Sequence, residues 1–171
     1  MFIMTFFLTN CGKSNDENRN KEQQINSHKI DTSAVAILPF NASRHLFFKD
    51  NDHTDLTNDD LLRVETILIK CIQDYNAEQD KNFKELNSKH PEYKIDKDLP
   101  TINLKNYKRQ YIATLNSKGE KEVWVNCFCA AWKENWKNDL IIVKDGGNCF
   151  FHLKINVTTK KYYDLMINGN A

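Results

Sequence analysis

The sequence predicts an α+β domain in which one long amphipathic helix lies on an antiparallel sheet of about four strands. Three observations predict it. Leu61, Val64, Leu68, Cys71, Ile72 and Tyr75 recur at three- and four-residue steps, which draws one apolar stripe along a helix. Later runs alternate instead: Val123, Val125, Cys127 and Cys129 share one strand face, as do Phe151, Leu153, Ile155 and Val157. Clusters of turn-forming residues separate these runs, at Asn116-Ser117-Lys118-Gly119, Asp145-Gly146-Gly147-Asn148 and Thr158-Thr159-Lys160-Lys161.

Each element follows in order. Residues 12–33 carry almost nothing apolar and cannot offset their ordering entropy by burial, so they read as a flexible polar spacer. The folded domain is expected over 34–171. It opens on Ala34 to Phe40, an apolar run closed by Pro39 that suits an edge strand or an extended segment laid on a sheet. Leu46-Phe47-Phe48 makes a second apolar patch. Thr57 with Asp60 three residues later forms a capping box, and Leu56 with Leu61 stand where a hydrophobic staple closes the helix start. The helix is expected to run through Phe83 and Leu86 and to stop before His90-Pro91, because proline disfavours helical backbone at the residue before it. Lys108 to Leu115 and Glu122 to Cys129 read as a hairpin across the Asn116–Gly119 turn. Residues 130–138, with Trp132 and Trp136, read as a polar loop or a single helical turn. Leu140-Ile141-Ile142-Val143 reads as a buried strand, Cys149 to Val157 as another, and Tyr162 to Ile167 as the last. The order of helix and strands resembles the cystatin-like class, in which a curved sheet wraps one long helix.

Composition narrows the function. Hydrophobic residues make up 40% and charged residues 27% of 171, the balance of a soluble globular chain. The formal net charge is +1, with Lys and Arg scattered among Asp and Glu, so no basic field exists to hold nucleic acid. The first eleven residues are uncharged and mostly apolar and stop at Cys11. As a helix they would reach ~15 Å, about half a bilayer core, too short to span but right for the apolar region of a signal peptide.

The end of that run, Leu8-Thr9-Asn10-Cys11, resembles a lipobox, at which bacterial lipoproteins are acylated and cut. Asn10 departs from the small residue usual before the cysteine. The polar stretch Gly12-Lys13-Ser14-Asn15-Asp16-Glu17-Asn18 is similar to the one behind the acylated cysteine of Bacteroidetes surface lipoproteins. No Lys or Arg precedes Cys11, so either the natural start lies further upstream or the segment is an apolar terminus without a signal role. The resemblance implies a signal peptide over 1–11, acylation (palmitate) at Cys11, and a lipid anchor on the outer membrane, facing the periplasm or the cell surface. From about residue 34 onward the chain also resembles small envelope lipoproteins of that group, through Asn126-Cys127-Phe128-Cys129, Asp145 to Phe151 and Asn168-Gly169-Asn170-Ala171. That resemblance implies export and a shared domain, and it carries no activity or site residue over.

Among candidate chemistries, the cysteines come first. With Cys11 assigned to the anchor, Cys71, Cys127, Cys129 and Cys149 are left, and an exported chain meets oxidising conditions. Cys127 and Cys129 lie about 6.5 to 7 Å apart along one strand and are poorly placed to bridge each other. A cross-strand partner suits either, and Cys149 is the natural one; the alternative is four buried thiols acting as small hydrophobes. A metal set of Cys127, Cys129, Cys149 and His152 fails on strand parity, which sends His152 to the opposite face, so no metal and no cofactor is expected. No nucleophile elbow, phosphate loop or dinucleotide fingerprint is present, and no catalytic residue is assigned. The acidic run of Asp50, Asp52, Asp55, Asp59 and Asp60 reads as a solvated face and cap.

The best binding candidate is the aromatic set Trp124, Phe128 and Phe150, on the sheet face away from the helix. It serves either as an open face for a protein or glycan partner, or as a surface covered by the 34–48 segment. Three functions are therefore carried forward. The first is a non-enzymatic, lipid-anchored binding module of the envelope. The second is an inhibitor of an extracellular enzyme that uses the Asn116–Gly119 turn as a cystatin-like wedge. The third is a hydrolase whose site shows no motif.

Overall fold

The computed structural model describes residues 32–40, 51–92, 101–129 and 135–169. Cys11, the signal-like segment, nearly all of the spacer, Leu46 to Phe48 and Trp132 lie outside the described residues. The elements run β1 (Val35–Ile37), β2 (Asp52–His53), α1 (Asn58–Lys89), β3 (Lys108–Leu115), β4 (Lys121–Phe128), β5 (Phe150–Asn156) and β6 (Lys161–Ile167), with short 3-10 turns at Thr32–Ala34, Leu104–Asn106 and Gly147–Cys149.

The helix begins where its cap dictates. Thr57 Oγ1 accepts from the Asp60 backbone N–H at 3.2 Å, and Asp60 Oδ2 accepts from the Thr57 N–H at 3.0 Å, so two N–H groups at the helix start are satisfied reciprocally. Leu56 and Leu61 both pack on the core as a staple would. Only the first half of the helix is buried, through Val64, Leu68, Cys71 and Ile72. The second half runs out past the sheet, with Leu86 39% exposed, and is tied back where Asn76 bonds both the N–H and the C=O of Ile102. Lys89 with Glu85 supports its last turn.

The α+β class is as predicted, but the sheet is larger and mixed. Six strands form one sheet in the order β1-β3-β4-β5-β6, with β2 pairing the far end of β3. β1 runs parallel to β3, Val35 opposite Arg109, and all other pairs are antiparallel. β1 lies in the run expected as an edge strand, but its parallel pairing escaped prediction because the partner lies some seventy residues away and leaves no local signature. β5 and β6 lose register between His152 and Lys154, where Asp164 takes a positive φ of 53°. That bulge twists the outer strand, a device that blunts an exposed edge.

Parity divides the sheet into two packed faces. Tyr111, Ala113, Val123, Val125, Cys127, Phe151, Leu153, Ile155 and Val157 cover the helix, as the alternation predicts. The opposite face holds Ile112, Trp124, Phe128 and Phe150 in a second cluster. Its lid corrects the expected strand at Leu140 to Val143. These residues form no strand; with Trp136 they lie across the second face, joined by Ala36, Leu38 and Phe40 from the N-terminal segment. The apolar run exists for packing, and its backbone is satisfied by side chains. Gln110 Nε2 donates to the Trp136 and Asp139 carbonyls at 2.5 and 2.7 Å, and Gln110 Oε1 accepts from the Ile141 N–H at 3.0 Å. Asn126 donates to the Ile141 carbonyl and Asn168 to that of Val143, both at 2.7 Å.

Candidate functional site

The sequence-predicted residues separate when folded. Trp124, Phe128 and Phe150 are 2%, 0% and 7% exposed, so they build the second core and present no open binding face. The reason is the lid: the segment around Trp136 to Val143 supplies most of the apolar cover, with Leu38 and Phe40 beside it. Cys129 and Cys149 form a disulfide with Cα atoms 5.0 Å apart, joining the end of β4 to the residue before β5. Cys129 leaves the face that parity gave it because β4 stops at Phe128, and its N–H donates to the Cys149 carbonyl. Cys127 takes no part. It is a free, fully buried thiol, as is Cys71, and burial pushes both up, Cys71 to about 11, so neither supplies a thiolate at neutral pH. His152 sits on the opposite face from Cys127, with its ring 5.7 Å from that of Trp124.

Other titrating groups are structural. Glu65 on α1 meets Arg109 and Tyr111 on β3 between helix and sheet, with Arg109 Nε at 3.3 Å and the Tyr111 hydroxyl donating at 2.6 Å. Burial, then the Glu65 charge, holds the Tyr111 phenol well above its ordinary value. Glu65 is ion-paired with Arg109 and hydrogen-bonded by Tyr111, while Arg109 Nε itself makes no hydrogen bond; the set lies largely out of solvent, which suits register rather than catalysis. The Asn116–Gly119 turn is closed on itself: Asn116 Oδ1 accepts from the Lys118 and Glu120 N–H groups, and its amide donates to Glu120 and Glu122. Its tip offers only polar residues. No group of three or more His, Cys, Asp or Glu side chains is arranged to hold a metal ion among the described residues.

An open groove lies elsewhere among the described residues. A groove of about 430 Å³ runs between the middle of α1 and the β5–β6 turn, lined by Thr66, Ile67 and Lys70 on one side and Lys160, Lys161 and Tyr162 on the other. Helical spacing puts Thr66 and Lys70 one turn apart on the same face. Tyr162 is opposite Ile155 on the helix side of the sheet, and with Ile67 it packs on the main core, so the floor is apolar and anchored. The wall is fixed as well. Lys70 Nζ donates to both oxygens of Asp74, at 2.6 and 2.8 Å, and the Tyr162 hydroxyl donates to Asp74 at 2.7 Å. Donation from Lys70 and Tyr162 lowers the Asp74 carboxyl, while the same bond pushes Tyr162 up to about 12, leaving it a protonated donor. The turn is tight: Asn156 Oδ1 accepts from the Thr159 N–H, and Lys160 adopts a φ of 57°.

Sequence reasoning missed this groove. Thr158 to Lys161 is legible as a turn, but nothing local places it against a helix turn far upstream. Comparison of the chain with protein-family models, with curated proteins and with solved structures finds no match to any of them.

Proposed function

We propose that this chain is a lipid-anchored binding protein of the bacterial envelope, held by acylated Cys11, whose folded domain takes its ligand in the groove between α1 and the β5–β6 turn. The observation that carries the reading is the groove itself: an apolar floor packed on the core, with Lys70 and Tyr162 on its walls both hydrogen-bonded to Asp74. A volume of about 430 Å³ is of the size that holds small ligands. Binding is favoured over catalysis because the groove offers lysines, a threonine and a protonated tyrosine, and the most strongly shifted groups, Tyr111 and Cys127, are packed inside the core. The lipobox-like end at Cys11 supports the anchor. The Cys129–Cys149 disulfide agrees with an oxidising compartment.

Two measurements test it. In a chain expressed with its own upstream sequence, Cys11→Ala should move the protein from the membrane to the soluble fraction and remove acyl mass from the N-terminal peptide. Membrane retention without acyl mass would sink the anchor. Titrating the isotope-labelled chain with envelope extract should shift the amides of residues 66–70 and 160–162. Shifts confined to other surfaces, or none, would place the function outside the groove.

A further inference from the structure

Lys160 holds a conformation that its type does not favour. A positive φ of 57° is the left-handed region, where a Cβ is strained and glycine is not. The turn explains the backbone, since Lys160 closes the four-residue connection between Asn156 and Lys161, where a left-handed residue is common; its ammonium makes no ion pair or hydrogen bond with the described residues. Lys161 beside it is likewise without an acidic partner among the described residues.

The charge around the groove narrows what it can hold. Lys70 is paired with Asp74, whose carboxylate is 42% exposed and accepts from both Lys70 and Tyr162, so the pair adds no net charge to the groove. Lys160 and Lys161 therefore leave an uncompensated positive rim over a floor of Ile67, the Tyr162 ring and lysine stems. Two adjacent like charges repel each other, and an anion between them relieves that repulsion. Resting on the reading that the groove is the binding site, we infer that its ligand is a small amphiphilic anion, a carboxylate carried on an apolar chain. The carboxylate sits between Lys160 and Lys161, and the chain lies on Ile67 and Tyr162.

The test uses decanoate, below its micelle concentration, on the full-length chain produced without acylation. Decanoate should saturably shift the amides of residues 66–70 and 160–162, while decan-1-ol and acetate should each bind at least about tenfold more weakly. The double substitution Lys160→Gly with Lys161→Gln should weaken decanoate by about tenfold or more while leaving the melting temperature equal or higher, since glycine relieves the turn. Thr66→Glu, at an exposed helix position, should do the same by adding a negative charge to the groove. Equal binding of decan-1-ol, or unchanged affinity in both variants, would overturn the anion inference while leaving the groove a binding site. If neither decanoate nor decan-1-ol shifts the groove, the amphiphile inference falls, and the envelope-extract titration decides the groove reading by itself.

Discussion

Trp124 separates two uses of an aromatic face. Its alternation with Asn126 and Phe128 is plain in the sequence, but alternation says only that a face is shared, not whether it is covered. The lid over it settles the matter physically: Trp124→Ala should cost ~3 to 5 kcal/mol in a urea titration, the range of large aromatic truncations in a packed core. A cost below about 1 kcal/mol would mean that the face is open after all. The ring against Trp124, that of His152, gives a second residue-scale expectation. Burial lowers the His152 imidazole from its ordinary 6.5, with Asp164 pulling up and Lys154 adding to the lowering. Between that lowered value and 6.5 the unfolded chain binds more protons than the folded one, so stability rises with pH through this window. The contribution is full above 6.5 and is lost as the pH falls through the folded value. His152→Gln should flatten the stability profile just below pH 6.5, between the lowered folded value and that of the free imidazole. An unchanged slope there would show that His152 is as well solvated folded as unfolded.

At the scale of elements, what was legible is what is local. The capping box at Thr57, the apolar stripe of α1 and the parity of β4 and β5 each lie within a few turns or residues of chain, and the structure holds them as read. The parallel pairing of β1, the β2 contact and the β5–β6 turn against α1 depend on chain brought from far away, and no spacing encodes them. The lid at Trp136 to Val143 is an instructive middle case. Its apolar run is visible, yet it reads as a strand because the partners of its backbone are the buried amides of Gln110 and Asn126, not another strand. Gln110→Leu keeps the volume and removes four hydrogen bonds, leaving the Trp136 and Asp139 carbonyls, the Ile141 N–H and one Asn126 donor site without this partner. At ~1 to 3 kcal/mol for each buried group left unsatisfied, relaxation notwithstanding, the change should destabilise by about 3 kcal/mol or more. Limited proteolysis should then cut within residues 136–145 before it cuts the helix. Equal resistance of the two would mean that the lid is held by its apolar side chains alone.

The whole molecule is a sheet with a core on each side, and both cores are assembled between Val35 and Ile167. The helix closes one face, and the disulfide-bounded lid with Ala36, Leu38 and Phe40 closes the other. The tract ahead of them is polar, with Ile25 and Ile30 its only large apolar residues after Cys11 and before Val35. An arithmetic expectation follows. Since stability comes from area buried in the two cores, a chain beginning at Thr32 should lose less than about 1 kcal/mol relative to the full-length chain. Its denaturant slope should be unchanged as well, because that slope follows the surface exposed on unfolding, and a spacer without a core adds none. The groove should survive with it, since Thr66 to Lys70 and Lys160 to Tyr162 are held by the helix and β6 alone. The shortened chain should therefore bind decanoate as the full chain does. A larger loss of stability, or a smaller denaturant slope, would show that residues before Thr32 bury surface against the domain. A groove that then binds more tightly would identify those residues as competitors for the same site.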